Sequence, residues 1–360
     1  LPFHYEYIEQ FRLFHSSAES FIEHASYPSG LVEYIASYLI QFFSQPYWGA
    51  GIVTLLFLII GIGMQLIFKR ICTRVDMPLA YLLPVLLLLF AGMDLNYHLE
   101  GTLAFALTVW LLNLQIRITR PLYRIISGGL LSWIIFYLAG PAFVVFALCS
   151  FIYEWHKREL PIVYSALLLP VAVLPACYAY FIAHSEPFRI LFLPDAYTNH
   201  KVEGQPILYY AWMALPLLFA LACLLGRWKK TVSSIVKGAS VSIQLLVLVI
   251  ILFQGNEKYN SPSLAQVKAL DYYSRNKQWD HILGLQVSSN NNIVSTCFKN
   301  MAMAQKGMLA DKGLYHKQLG NKALWIDWDQ SSTVSTLLSD LYYAMGHIAL
   351  SQRYAFEGVI

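Results

Sequence analysis

The chain has 360 residues, 57% of them hydrophobic and 13% charged, against roughly 25% charged residues in a soluble globular domain. That balance excludes a wholly soluble protein and points to an integral membrane protein. The net charge of +4 carries no nucleic-acid implication, because 12 of the 25 Lys and Arg fall in short loops between apolar stretches, where membrane topology accounts for them.

The opening segment crowds Glu6, Glu9, Gln10 and Arg12 among Tyr5, Tyr7, Phe11 and Phe14. Next, Leu31, Tyr34, Ile35, Tyr38, Leu39, Phe42 and Phe43 recur at three- and four-residue intervals, with Glu33, Ser37 and Gln41 on the opposite face. This predicts an amphipathic helix lying on the outer leaflet; a helix packed into an exterior domain has the same periodicity and is the alternative. The chain opens on Leu1, with no signal segment of its own, so a membrane helix or signal peptide is expected ahead of it.

Eight apolar stretches follow: Tyr47 to Phe68, Pro78 to Met93, Thr102 to Leu114, Ile125 to Ala139, Pro141 to Trp155, Ile162 to Ala183, Ile207 to Leu225 and Ser240 to Phe253. Several fall below the roughly 20 residues that cross a bilayer, so tilt or support from neighbours is expected. Pro170, Pro175 and Pro216 lie inside spans and predict kinks whose freed carbonyls need a neighbouring helix. Lys69/Arg70/Arg74, Arg117/Arg120/Arg124, Lys157/Arg158 and Arg227/Lys229/Lys230/Lys237 each fall where an odd-numbered span ends, and only Arg189 and Lys201 lie in the other connections. Twelve bases against two place the odd-numbered connections in the cytoplasm. Residues 1–46, the even-numbered connections and the chain after 254 are then outside, which in a bacterium makes this a multi-pass inner-membrane protein with a periplasmic C-terminal domain.

Of five cysteines, Cys149, Cys177 and Cys223 sit in apolar spans, Cys72 in a cytoplasmic loop and Cys297 outside, so no intramolecular disulfide framework is expected there. No residues have metal-ligand spacing.

Composition turns polar after Phe253, and residues 255–360 read as a helical exterior domain with a weak repeat. Leu270, Asn300 and Asp340 begin segments in which a helix meets a short turn and a second helix. The turns centre on Lys277, Gly307 and Gly346, spaced 30 and 39 residues. These segments resemble tetratricopeptide repeats, with Trp279, Leu309 and Ile348 two residues past each turn centre, where burial is expected along with Tyr354. A plain helical-hairpin domain is the alternative.

Polar residues held at the outer surface carry the candidate chemistry, since a charge kept near hydrocarbon is costly. Three places qualify: the opening segment with Glu9; the loop with Asp94, Asn96, His98 and Glu100; and the loop with Arg189, Asp195, His200 and Lys201 beside Ile190 to Leu193. Asp94 and Glu100 also read as caps of adjacent turns and helices, and Glu9 as part of a solvated helix face. Convergence of the three loops on one side of a small bundle would build a site for an anionic head group.

The order of Glu9-Gln10 in an exterior loop, a surface helix over Pro28 to Phe43 and many short spans resembles the GT-C class of polyprenol-dependent glycosyltransferases. The whole chain is also similar to an uncharacterised family of multispan membrane proteins from Bacteroidota, through Glu9-Gln10, Pro28-Ser29-Gly30 and the closing Ser351 to Glu357. The GT-C resemblance implies Glu9 or Asp94 as general base. It also implies Arg189 or Lys201 neutralising a polyprenyl phosphate, Arg the better suited, with Gln10, Arg12, His98, Glu100 and His200 lining the substrate. Some such enzymes use a divalent metal, which this sequence does not require, and no other cofactor is implied. The competing reading is a non-catalytic subunit whose spans anchor a tetratricopeptide-like domain that docks envelope proteins; a transporter is the third.

Overall fold

The computed structural model describes residues 2–71, 79–94, 96–184, 187–198, 206–226, 234–260, 262–285, 293–316, 318–323, 327–328 and 332–359. Among these residues every regular element is a helix, and the β contact is an isolated bridge between Tyr97 and Thr198. The chain forms two compact units: Phe14–Leu39 with Gly51–Tyr259, and Leu1–Leu13 with Ile40–Ala50 and Asn260–Ile360.

In chain order, α1 (Pro2–Glu9), α2 (Ala18–Ala25) and α3 (Gly30–Ile40) precede the apolar helices. These are α4 (Pro46–Ile71), α5 (Leu82–Ala91), α6 (Leu99–Ile116), α7 (Pro121–Ala139), α8 (Ala142–Lys157) and α9 (Ile162–Phe181), then, after the short α10 (Phe188–Phe192), α11 (Pro206–Gly226) and α12 (Ser234–Tyr259). Each predicted apolar stretch is a helix. Six of them, all but α5 and α8, are long and apolar enough to cross a membrane. At 10 and 16 residues, α5 and α8 extend about 15 and 24 Å, short of a hydrocarbon core of roughly 30 Å. Among the described residues the chain is thus all-helical with six candidate spans, as in a multi-pass membrane protein.

The bundle core is apolar and centred on α6, which buries 13 of its 18 residues. Because α6 is enclosed, its polar side chains bond to neighbouring helices. Trp110 Nε1 donates to the Ile59 carbonyl (3.2 Å) and Asn113 Nδ2 to that of Gly63 (2.6 Å) on α4, so α4 and α6 run in the same direction. Pro175 cannot donate to the Val171 carbonyl four residues back, and Trp133 Nε1 of α7 donates to it instead (2.7 Å), as the proline spacing predicts. At the opposite extreme, α12 buries only Gly255 among the residues from 235 to 259 and presents apolar side chains outward along its length.

Where the α7 and α8 termini meet, Arg124 is buried against Glu154 through Nε and Nη2 (2.9 Å to Oε2) and reaches Glu159 (2.9 Å). The sequence reading counts Arg124 as a loop base; the structure corrects this, because Glu154, one helical stretch away, neutralises it inside the fold.

Helix α3 buries one face and leaves part of the apolar edge read from the sequence exposed. Val32, Ala36, Ser37 and Ile40 are buried and Ile35 and Tyr38 are exposed, so the short Ala36 and Ser37 allow close packing while the bulkier apolar edge remains outside.

In the second unit α13 (Pro262–Arg275), α14 (Trp279–Gly284), α15 (Ile293–Gln305), α16 (Leu309–Lys312), α17 (Ser332–Ala344) and α18 (Ile348–Val359) form three helix-turn-helix pairs. Each turn has the same construction. Lys277, Gly307 and Gly346 have φ of 55°, 67° and 81°, and the next amide reaches back five residues: Gln278 to Tyr273, Met308 to Met303, His347 to Tyr342, all 2.8 Å. This is the Schellman closure of a helix C-terminus. Leu270, Ile282, Cys297, Phe298, Leu337 and Leu341 share one core, with Trp279 and Tyr354 packed against it. Ile348, expected to be buried, is 58% exposed, because α18 packs through Ser351 and Gly358 instead.

Candidate functional site

Two of the three polar loops meet in the bundle. After α5 the Gly92 amide returns to the Leu88 carbonyl (2.9 Å), and Asp94 Oδ1 accepts from the Asn96 amide (2.7 Å), which turns the chain toward α6. The Tyr97–Thr198 bridge and a bond from the His98 amide to the Tyr197 carbonyl (2.9 Å) join this loop to the segment following α10. Their closeness depends on Gly101 at the start of α6: a Cβ there would lie 2.6 Å from Tyr97 Oη and 2.9 Å from Tyr197 Cβ.

Aromatic groups hold the junction. Tyr197 stacks on Trp212 of α11, with centroids 5.1 Å apart at 15°, and donates to the Ala139 carbonyl. The hydroxyls of Tyr97 and Thr102 share a hydrogen bond of 3.1 Å. Asp195 is buried and accepts from Arg189 Nε (2.9 Å) and Tyr209 Oη (2.7 Å). Arg189 remains 66% exposed.

Glu100, 7% exposed, lies in the first turn of α6 with Oε2 3.9 Å from His98 Nδ1. Its charge reaches three phenols. Burial chiefly raises the pKa values of Tyr97 and Tyr197, and Glu100 adds to this. Burial and then Glu33 raise that of Tyr27, which donates to Glu33 Oε2 (2.8 Å), with a smaller contribution from Glu100. All three phenols therefore stay protonated, and Tyr27 and Tyr197 donate, to Glu33 and to the Ala139 carbonyl.

Asp94, His98, Glu100 and Arg189 thus belong to the bundle unit. Glu9, Gln10 and Arg12 belong to the other, where Glu9 ends α1 and its carbonyl accepts from the Arg12 amide (3.1 Å). Gln10 Nε2 reaches Asp271 Oδ2 (3.4 Å), Lys268 Nζ bonds His4 Nδ1 (2.8 Å), and Phe3 packs on Tyr272 and Tyr273. His200 and Lys201 lie outside the described residues.

Sequence reasoning missed the acidic cluster of this second unit. Asp271 is buried and paired with Arg275 (3.0 Å). Burial raises its pKa against the opposing pull of Arg275. Asp340 is pushed up to about 6, first by burial and then by Asp271. The i,i+4 spacing of Asp271 and Arg275 was the available signal; Asp340, on another helix, gave none. Among the described residues no group of three His, Cys, Asp or Glu side chains is placed to hold a metal ion.

Residues 1–360 match the model of a family of unknown function, DUF6057, and the chain belongs to that family. No curated protein and no solved structure matches it.

Proposed function

For this member of a family of unknown function, we propose transfer of a sugar from a polyprenyl-phosphate donor at the outer face of the bacterial inner membrane. The observation that carries the reading is the Tyr97–Thr198 bridge, which joins a carboxylate-bearing loop to one bearing an exposed guanidinium. The GT-C resemblance supplies the roles. A carboxylate, Glu9 or Asp94, takes the proton of the acceptor hydroxyl as its oxygen bonds to sugar C1, and the C1–phosphate oxygen bond breaks to release polyprenyl phosphate. Arg189, bonded to Asp195 through Nε, turns its outer edge to that phosphate, while Glu100 and His98 orient the acceptor.

Topology supports the location. Helices α4 and α6 run in the same direction, so the chain returns between them through the region of α5. Trp133 with Val171, and Gly129 beside Val171, lie on α7 and α9, between which α8 returns. Counting α5 and α8 as traverses gives eight crossings and keeps all four basic clusters on the cytoplasmic side.

The test compares envelope glycans in Glu9→Gln, Asp94→Asn and wild-type cells with protein abundance matched. Loss of glycan transfer in either variant is expected, and unchanged glycans in both overturn the reading. A second reading, a membrane-anchored tetratricopeptide-like dock for envelope proteins, is favoured by the three identical turns and by exposed Tyr343 and Phe356 on the last pair. Its signature is intact glycans in both point variants together with partner crosslinks lost on substituting Tyr343 and Phe356.

A further inference from the structure

Helix α12 is pinned to the α5 region at two points, and a groove runs between them. At one, the Leu79 amide, just ahead of α5, donates to Gln244 Oε1 (3.1 Å). At the other, Gly255 abuts the ring of Phe90 so closely that a Cβ would lie 2.2 Å from Cε2, and Phe90 stacks on Tyr259 with centroids 6.0 Å apart. The pins are separated by about 16 Å of helix.

Between them lies a groove of about 280 Å³, lined by Phe57, Leu82, Leu86, Leu89, Val249 and Leu252 with two further aliphatic side chains. No polar residue contributes to the lining. Ordered water needs two to four polar partners and finds none there. An empty groove would forfeit the dispersion contacts of its walls.

We infer that this groove binds one acyl chain of a bilayer phospholipid. Both walls belong to helices in the apolar bundle, and α12 is exposed on its remaining faces, so the groove opens onto hydrocarbon. Acyl chains are the hydrocarbon present there in greatest abundance, and mass action fills the groove with them in preference to rarer lipids. The site is independent of the sugar-transfer reading, since it shares no residue with the Glu100 junction.

The experiment reconstitutes the full chain in bilayers containing a phosphatidylethanolamine with a diazirine on its acyl chain, and maps the photolabelled residues. Labelling of Leu86, Leu89 and Val249 several-fold above Leu246 and Phe253, which are exposed on α12 away from the groove, is expected; equal labelling overturns the inference. Native mass spectrometry of delipidated protein then compares Val249→Trp, which fills the groove, with Leu246→Trp, which does not. Loss of a retained phospholipid in the first and retention in the second is expected. Retention in both, or a retained isoprenoid lipid in place of a diacyl one, overturns it. Glycan transfer is not a readout in either arm, so failure here leaves the catalytic reading untouched.

Discussion

Helix α12 of the bundle exposes Leu245, Leu246, Ile250 and Phe253, while α18 of the other unit exposes Ile348, Leu350 and Phe356 beside Gln352 and Arg353. The bundle buries Arg124 only with Glu154 against it, whereas the other unit leaves Asp340, inside a helical array, with a perturbed carboxyl group. The contrast follows from solvent. Around the bundle, hydrocarbon receives apolar side chains freely and gives a charge nothing, so Arg124 finds its partners within the fold. The hairpin unit tolerates an imperfectly paired acid because a proton from water can neutralise it, and its exposed apolar side chains stand beside polar ones such as Gln352 and Arg353.

The largest effect that would break this contrast comes from Arg124→Ala. Removing one partner of a buried pair leaves Glu154 uncompensated, and a loss of about 3–5 kcal/mol is expected, read as a fall in the thermal midpoint of the full chain in nanodiscs. Little change there would mean that water reaches the site. Leu246→Arg is expected to cost about 2.5–3.5 kcal/mol of membrane insertion if that position faces the middle of the bilayer, measured as the inserted fraction in a glycosylation-reporter assay; full insertion would remove α12 from the hydrocarbon.

Asp340 gives a smaller effect with a defined sign. Its carboxyl titrates near 6 when folded, against an ordinary value of 3.8, so the folded state holds the proton more tightly. The stability this contributes is present below about pH 4 and is lost as pH rises through 6. Partial exposure limits the swing to about 1–2 kcal/mol. Asp340→Asn should flatten that part of the melting-temperature profile between pH 4 and 7, and an unchanged slope would assign it elsewhere. The smallest effect, within about 0.5 kcal/mol, is expected for Ile348→Arg on α18, and a marked loss of stability would show that this face is covered.

Much of this arrangement was legible in the sequence, for reasons that particular residues make plain. Apolar runs between basic clusters mark the bundle helices because hydrocarbon permits little else. Gly307 and Gly346 mark turns because they reach positive φ without strain; Lys277 occupies the same conformation and could be placed only by its spacing from them. What stayed hidden was pairing across long stretches of chain. Nothing in the periodicity of α7 names Glu154 as the partner of Arg124, and nothing in the opening segment announces that Gln10 reaches Asp271. The polar loops were visible as loops, but the closeness of Tyr97 and Tyr197 depends on the space above Gly101, which no pattern encodes. Helix ends were also misjudged: α12 runs on to Tyr259, because Asn, Glu and Lys are poor apolar residues but adequate helical ones.

The bond from Trp133 to the Val171 carbonyl couples two residues that look unrelated on the chain. A proline inside a helix ordinarily costs about 3 kcal/mol, and replacing Pro175 by alanine would seem a simple gain. Yet the Val171 carbonyl already accepts from the indole, so an alanine amide could bond only to its second lone pair, and closing that helical turn would draw the oxygen away from Trp133. The fitness of either residue therefore depends on the other, an epistatic pair in which the helix breaker and its remedy are best inherited, or lost, together.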